Sequence, residues 1–309
     1  MTRRRWPFVA GAVTVLAGLV VLVGVTREPA VTVLPALAPS APARPNPVGT
    51  WELTHSFRLE PGWRVNSQEV RELSSTSQLA GPDEGGPLYC TMTGHAAGVA
   101  MPRLSGGRRV QIGDRPGTYV SVDPKHRSRP HGAFWRGPDG RWANAWCQGG
   151  RTPSLALAEQ VRFTTTPVRV PLRLDALPTG YHADLIEVRP PEEDAGPDVT
   201  LLLEPDDPDG PLPPLYALAS PEPLSKVTRK DESLLLDGRP GRASAIGRSV
   251  CLTDRQLLCA GVQQTDGVGN ANRWPPGQRE PVLTTARSLV SADPADRSTW
   301  FEGRRAFPG

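Results

Sequence analysis

Few residues in this chain combine a type and a spacing that could do chemistry. Of the five histidines, only His126 and His131 lie close together, in Lys125-His126-Arg127-Ser128-Arg129-Pro130-His131. The neighbouring arginines would repel a metal ion, and Pro130 suits a solvated loop rather than a helical ligand pair, so no metal site is expected. The acidic run Glu204-Pro205-Asp206-Asp207-Pro208-Asp209-Gly210 offers the oxygens a hard cation prefers. It lacks the alternating carboxylates and closing glutamate of a calcium loop, and its prolines fit an exposed turn. No G-x-S-x-G or H-E-x-x-H occurs, and the glycine-rich stretches carry no phosphate-binding lysine pattern. The sequence therefore names no nucleophile and implies no cofactor.

The tryptophans are the strongest binding candidates. Trp135, Trp142 and Trp146 crowd into two alternating runs, 133–136 and 141–147, around the turn sequence Gly137-Pro138-Asp139-Gly140, which predicts a β-hairpin. Period-two alternation puts Trp142, Asn144 and Trp146 on one face and Ala143, Ala145 and Cys147 on the other. Aromatic rings on a sheet stack on sugars, peptides or lipid tails, or they pack under a helix, because each ring buries a large apolar area. Trp135, Trp142, Asn144 and Trp146 form the candidate ligand-binding set.

Cys90, Cys147, Cys251 and Cys259 allow three disulfide pairings. None belongs to a C-x-x-C, and no histidine stands at ligand spacing from one of them, so bridges are expected rather than zinc. Two cysteines in each half of the chain favour Cys90 with Cys147 and Cys251 with Cys259. Such bridges persist only outside the cytoplasm.

That compartment is also what the N-terminus predicts. Residues 9–25 form an uncharged apolar run of about 26 Å as a helix, extendable to residue 26. Arg3, Arg4 and Arg5 precede it, while Arg27 and Glu28 cancel after it, which orients the N-terminus toward the cytoplasm. A cleaved signal peptide is the competing expectation, but the run is long for one, and the nearest small-x-small sequences, Ala36 to Ala38 and Ala41 to Ala43, lie more than ten residues further on. The expected organisation is a cytoplasmic tail at 1–8, a transmembrane helix at 9–26 and a linker at 27–49. Two extracytoplasmic subdomains, 50–166 and 167–292, and a C-terminal tail, 293–309, follow. The linker is rich in Pro and Ala and would run extended, reaching up to about 60 Å from the bilayer.

The elements that must position the tryptophans and cysteines are short. Gly (31) and Pro (35) multiply turns and shorten helices, so the expected class is α+β, mainly antiparallel sheet with few short helices. Two halves look related. Pro61-Gly62-Trp63 is matched by Pro178-Thr179-Gly180-Tyr181, and Val110-Gln111-Ile112-Gly113-Asp114-Arg115-Pro116-Gly117 by Leu234-Leu235-Leu236-Asp237-Gly238-Arg239-Pro240-Gly241. The glycines and prolines of the second pair are those of tight turns between strands. A second hairpin is expected from Val250–Leu252 and 257–262, and helical segments from 155–163 and 281–290. The net charge of +3, with arginines scattered among acids, shows no basic stripe and argues against nucleic acid.

The basic tail, single helix, Pro/Ala spacer and the P-x-G-aromatic, G-R-P-G and Trp-hairpin elements together resemble uncharacterised single-pass membrane-anchored proteins of actinobacteria. Residues 135–163 are also faintly similar to extracytoplasmic portions of anti-sigma-type regulators, although an eight-residue tail leaves no sigma-binding domain. The resemblance implies a cell-membrane protein that engages a protein or cell-wall ligand outside the cytoplasm. A non-enzymatic binding module is the expected function. The alternatives are an enzyme acting on an envelope polymer without a local motif, and a structural subunit of a membrane complex.

Overall fold

The computed structural model describes residues 32–34, 51–82, 88–122, 130–190, 197–220, 231–245, 248–253, 256–263, 274 and 276–308. The expected cytoplasmic tail, the membrane helix, most of the linker and His126 lie outside them. No helix of the described residues is long and apolar enough to cross a membrane.

The chain runs through β1 (Thr32–Leu34), β2 (Glu52–Phe57), β3 (Arg64–Arg71), β4 (Ser74–Gly81), β5 (Leu88–His95), β6 (Arg108–Ile112), β7 (Arg115–Val120), β8 (Gly132–Arg136), β9 (Trp142–Cys147), α1 (Arg151–Glu159) and β10 (Val161–Pro167). It continues through β11 (Arg169–Val170), β12 (Leu172–Leu174), β13 (Tyr181–Arg189), β14 (Asp198–Pro205), β15 (Leu215–Ser220), β16 (Glu232–Leu236), β17 (Arg239–Ser244), β18 (Ser249–Thr253), β19 (Leu257–Val262), α2 (Arg279–Ser288), β20 (Leu289–Ser291) and β21 (Phe301–Glu302). Among the described residues the result is mainly antiparallel β with two short α-helices.

Fifteen strands form one sheet, in the order β1-β16-β17-β18-β19-β15-β14-β13-β3-β4-β5-β9-β8-β7-β6. Counted outward from the middle, each half has the same path: three strands in a meander, then four more laid down from the outer edge inward. In each half a helix follows the last of these strands, and the strand after the helix pairs with the strand that opened the half, β10 with β2 and β20 with β12. The matching halves of the sequence therefore have matching topologies. Gly62 and Gly180, which precede the equivalent strands β3 and β13, both have positive φ, +90° and +82°, a conformation glycine adopts freely.

The halves join where β3 and β13 pair antiparallel, with Val70 opposite Ile186, Glu69 opposite Glu187 and Gln68 opposite Val188. Because the paired strands are equivalent, the duplication itself sets glutamate against glutamate. Cross-strand partners share a face, so rows can be followed across the whole sheet. One row runs Trp135-Ala143-Gly94-Ser75-Val70-Ile186-Leu201-Ala217-Ala260-Val250-Ala243. It is almost wholly buried and belongs to the two main apolar clusters. Leu157 and Ala158 of α1 pack on this face in the first half, and Val282, Leu283 and Ala286 of α2 in the second. Each large side chain so buried contributes about 1.5–3 kcal/mol.

Three expectations shift. The first helix begins earlier than 155 and ends at Glu159, because Val161 turns into the pair with β2. The second begins at Arg279 and ends at Ser288. Residues 293–308 belong to the folded body rather than to a tail: β21 pairs with β11, and Phe307 is buried against Trp51 with ring centroids 5.0 Å apart.

Candidate ligand-binding face

The hairpin β8–β9 forms as the alternation requires, with Arg136 opposite Trp142 and Ala133 opposite Ala145. Ala143, Ala145 and Cys147 enter the core, while Trp142, Asn144 and Trp146 point the other way. Trp135 sits on the core face, 1% exposed, so it is separated from the other three by the thickness of the sheet. Its indole N–H has no hydrogen-bond partner among the described residues.

Trp142 is also withdrawn from solvent. Its ring stacks on His95 at 3.7 Å between centroids, and its Nε1 donates to the Val99 carbonyl at 3.0 Å. Val99, Met101 and Leu104, from the connection between β5 and β6, pack over it together with Phe134 and Val120. Burial pushes the His95 imidazole down to about 4. Asn144 and Trp146 remain part-exposed, with His131 edge-on to Trp146 at 5.4 Å. The tertiary fold thus reduces the four-residue platform to Asn144 and Trp146.

What replaces it is a row crossing both halves on the face opposite the helices: Asn144-Thr93-Thr76-Glu69-Glu187-Thr200. All six side chains are part-exposed, and at about 4.8 Å per strand they extend over roughly 24 Å. Thr76 and Thr93 hydrogen-bond to each other at 3.0 Å. Like charges directly opposite destabilise a sheet. Here Gln78 Nε2 donates to Glu69 at 3.2 Å, Arg189 Nε donates to Glu187 at 2.9 Å, and Arg71 pairs with Asp184. The Glu187 hydrogen bond and charge raise the Arg189 pKa, with Asp198 and Glu69 acting in the same direction. No helix covers this row among the described residues. It can meet a ligand with alternating donors, acceptors and charge.

Two clefts lie elsewhere in the first half. One of about 970 Å³ opens at the end of α1 and is lined by Arg58, Glu60, Asp114, Arg115, Glu159 and Arg162 among others. Several of these groups already serve the fold: Arg115 donates to the Ala158 carbonyl at 3.2 Å, one of the orphan acceptors of the helix end, and Glu159 accepts from the Gly113 N–H at 3.3 Å. The other, of about 650 Å³, lies beside β6 and is lined by Met101, Arg109, Gln111, Trp135 and Arg136 among others.

A buried polar cluster sits beneath β2. His55 Nε2 lies 2.9 Å from Ser77 Oγ and its Nδ1 3.2 Å from Ser75 Oγ, while Thr54 Oγ1 lies 2.8 Å from Ser75 Oγ. His55 is 1% exposed, and burial pushes its pKa down to about 4. The serine and histidine types suggest catalysis, but the cluster has no opening to solvent; it satisfies the polar groups of β2 over the sheet.

Cys90 joins Cys147 across β5 and β9, and Cys251 joins Cys259 across β18 and β19. The first bridge is in the core. The second shares a row with Thr200 and Leu218, on the opposite face. The acidic run forms the turn after β14, where Asp206 Oδ1 lies 3.1 Å from His182 Nδ1 and Asp207 accepts from the Asp209 N–H. No group of three or more potential metal ligands occurs among the described residues. The pair at the join was hidden from sequence reasoning because nothing local says that β3 and β13 meet; the repeat offset was the one available signal.

No protein-family model matches the chain, and no curated protein matches it. Among solved structures it is weakly similar to the crystal structure of MucB in complex with MucA(peri), with 14% identity and a TM-score of 0.23, over 74% of this chain and 92% of that chain.

Proposed function

We propose that this chain is a membrane-anchored, extracytoplasmic binding module without catalytic activity, and that it engages a protein or cell-wall ligand through the uncovered face of its sheet. The observation that carries this reading is the part-exposed row Asn144-Thr93-Thr76-Glu69-Glu187-Thr200, which is continuous across both halves and has Trp146 beside it. The anchor follows from the apolar run at 9–25 and its arginine-flanked start. Two disulfides support an oxidising compartment.

The test is capture in living cells. A photoreactive residue in place of Thr93 should crosslink a discrete partner or wall fragment, and the joint change Asn144→Ala, Trp146→Ala should abolish the product. Crosslinking that survives this change would sink the reading. One observation favours an enzyme of the cell envelope instead: Glu69 and Glu187 are two carboxylates directly opposite one another, as polymer hydrolysis can require. Release of wall fragments by the purified protein, lost in Glu69→Gln, would establish that alternative.

A further inference from the structure

We infer that the edge of β6, unpaired among the described residues, docks an extended, acidic segment of a partner protein, which adds to the sheet as a parallel strand. This rests on the binding-module reading and names a second surface and its partner chemistry.

The two outer strands of the sheet halves are equivalents, and one of them already carries an added strand. β16 pairs in parallel with β1, with Thr32 opposite Leu234, Val33 opposite Leu235 and Leu34 opposite Leu236. β6 stands at the matching position and, among the described residues, pairs only with β7. Both strands lead into two-residue turns. Asp237 and Gly238 have φ of +51° and +80°, while Gly113 has +58°, the positive values such turns require. In a hairpin of this kind the residues flanking the turn form the hydrogen-bonded pair, here Ile112 with Arg115. Alternation then makes Gln111–Pro116 and Arg109–Thr118 non-bonded pairs, which fits the missing N–H of Pro116. The N–H and C=O of Arg109 and Gln111 therefore point outward, available to another strand, as those of Leu235 point toward β1.

Charge specifies the occupant. Arg103, Arg108, Arg109 and Arg136 are exposed, and none forms an ion pair among the described residues. The counterpart of Arg108 on the other outer strand is Glu232, which instead pairs with Arg279 at 2.9 Å. The two edges thus differ in charge while sharing geometry. Arg109 and Gln111 also line, with residues of β7 and β8 including Arg136, the 650 Å³ groove over the sheet face just inward of the edge, into which long side chains of an added segment on that face can reach. Charged residues on an edge repel a second copy of the same strand, so two β6 edges pairing would bring arginine against arginine. An acidic segment gains from the same feature. Strand addition of this kind takes affinity from the main chain and selectivity from the side chains.

The experiment titrates labelled Glu-Glu-Thr-Val-Leu peptides, in the register that sets both carboxylates opposite Arg108 and Arg109, into the full chain in detergent micelles, followed by anisotropy. Saturable binding is expected, weakened at least tenfold by Gln111→Pro, by Arg108→Glu with Arg109→Glu, and by a change from 50 to 300 mM salt. Backbone N-methylation of the peptide residue that follows the one facing Gln111, whose N–H donates to the Gln111 carbonyl in a parallel pair, should weaken binding as much without altering the protein, so a misfolded Gln111→Pro chain leaves the inference open to refutation. Absence of saturable binding, or equal binding by the N-methylated peptide, overturns it. So does concentration-dependent dimerisation that is lost in Gln111→Pro, which would assign the edge to a second copy. If the peptide fails while Thr93 crosslinking persists, only the edge inference falls; if both fail, the binding-module reading falls with it.

Discussion

His55 should make this fold acid-sensitive in a window set by its burial. The imidazole is hydrogen-bonded by Ser75 and Ser77 in its neutral form, and desolvation lowers its pKa from 6.5 to about 4. The unfolded chain therefore takes up a proton as pH falls through 6.5, while the folded chain resists until about 4, and stability declines across that interval. The gap corresponds to a ceiling of about 3.4 kcal/mol, of which about 2 kcal/mol is already lost at pH 5. Urea unfolding at pH 7.5 and pH 5.0, with both disulfides intact, measures the loss. Carboxylates titrate too, so the comparison is with His55→Gln, which removes the titration and costs about 1–3 kcal/mol at pH 7.5 through altered buried hydrogen bonds. The variant should lose about 2 kcal/mol less than the parent between the two pH values. An identical loss in both proteins would refute the assignment of the acid response to His55.

Mutating Cys90 and Cys147 to Ala should destabilise the fold by about 4 kcal/mol and the same change at Cys251 and Cys259 by about 2.6 kcal/mol, since the bridges close sequence separations of 57 and 8 residues; denaturant unfolding orders the two. Alkylation without reductant should leave all four thiols unmodified, and any free thiol would contradict the pairing. Gly94→Ala should cost about 1–3 kcal/mol, because a Cβ there runs into Thr54 Oγ1 and His55 where β2 crosses the sheet, and thermal melts would reveal it. Protease added to spheroplasts should digest the region beyond residue 50, and full protection would overturn the proposed topology.

Local signals carried much of this architecture. Alternation around Gly137-Pro138-Asp139-Gly140 was enough to separate Ala143, Ala145 and Cys147 from Trp142, Asn144 and Trp146, because a strand has only two faces, but the tertiary structure decided that the alanine face, not the tryptophan face, packs under α1. The two Arg-Pro-Gly sequences, each after a Gly/Asp turn pair, marked the two outer hairpins through turn chemistry that depends on neighbouring residues alone. The cysteine pairing that compartment and distribution between halves favoured among three is the one that forms. The fate of Trp142 and Trp135 did not follow, since alternation names a face without saying what covers it: the 96–107 connection lies over Trp142, and α1 contributes to the cluster that buries Trp135.

By itself the sequence indicated the strand character, a duplication, a favoured disulfide pairing and the two faces of each strand, most of which depend on periodicities and residue chemistry within a short reach. Only the tertiary structure decided that the two halves join edge to edge through β3 and β13. That pairing merges two half-sheets into one face, sets Glu69 against Glu187, and leaves β6 at the far end while β1 covers its counterpart. The physical reason is that backbone hydrogen bonds between strands are nearly blind to sequence. Which edges meet is settled by the summed burial of Val70, Ile186 and their neighbours across the join, and no local pattern encodes that sum.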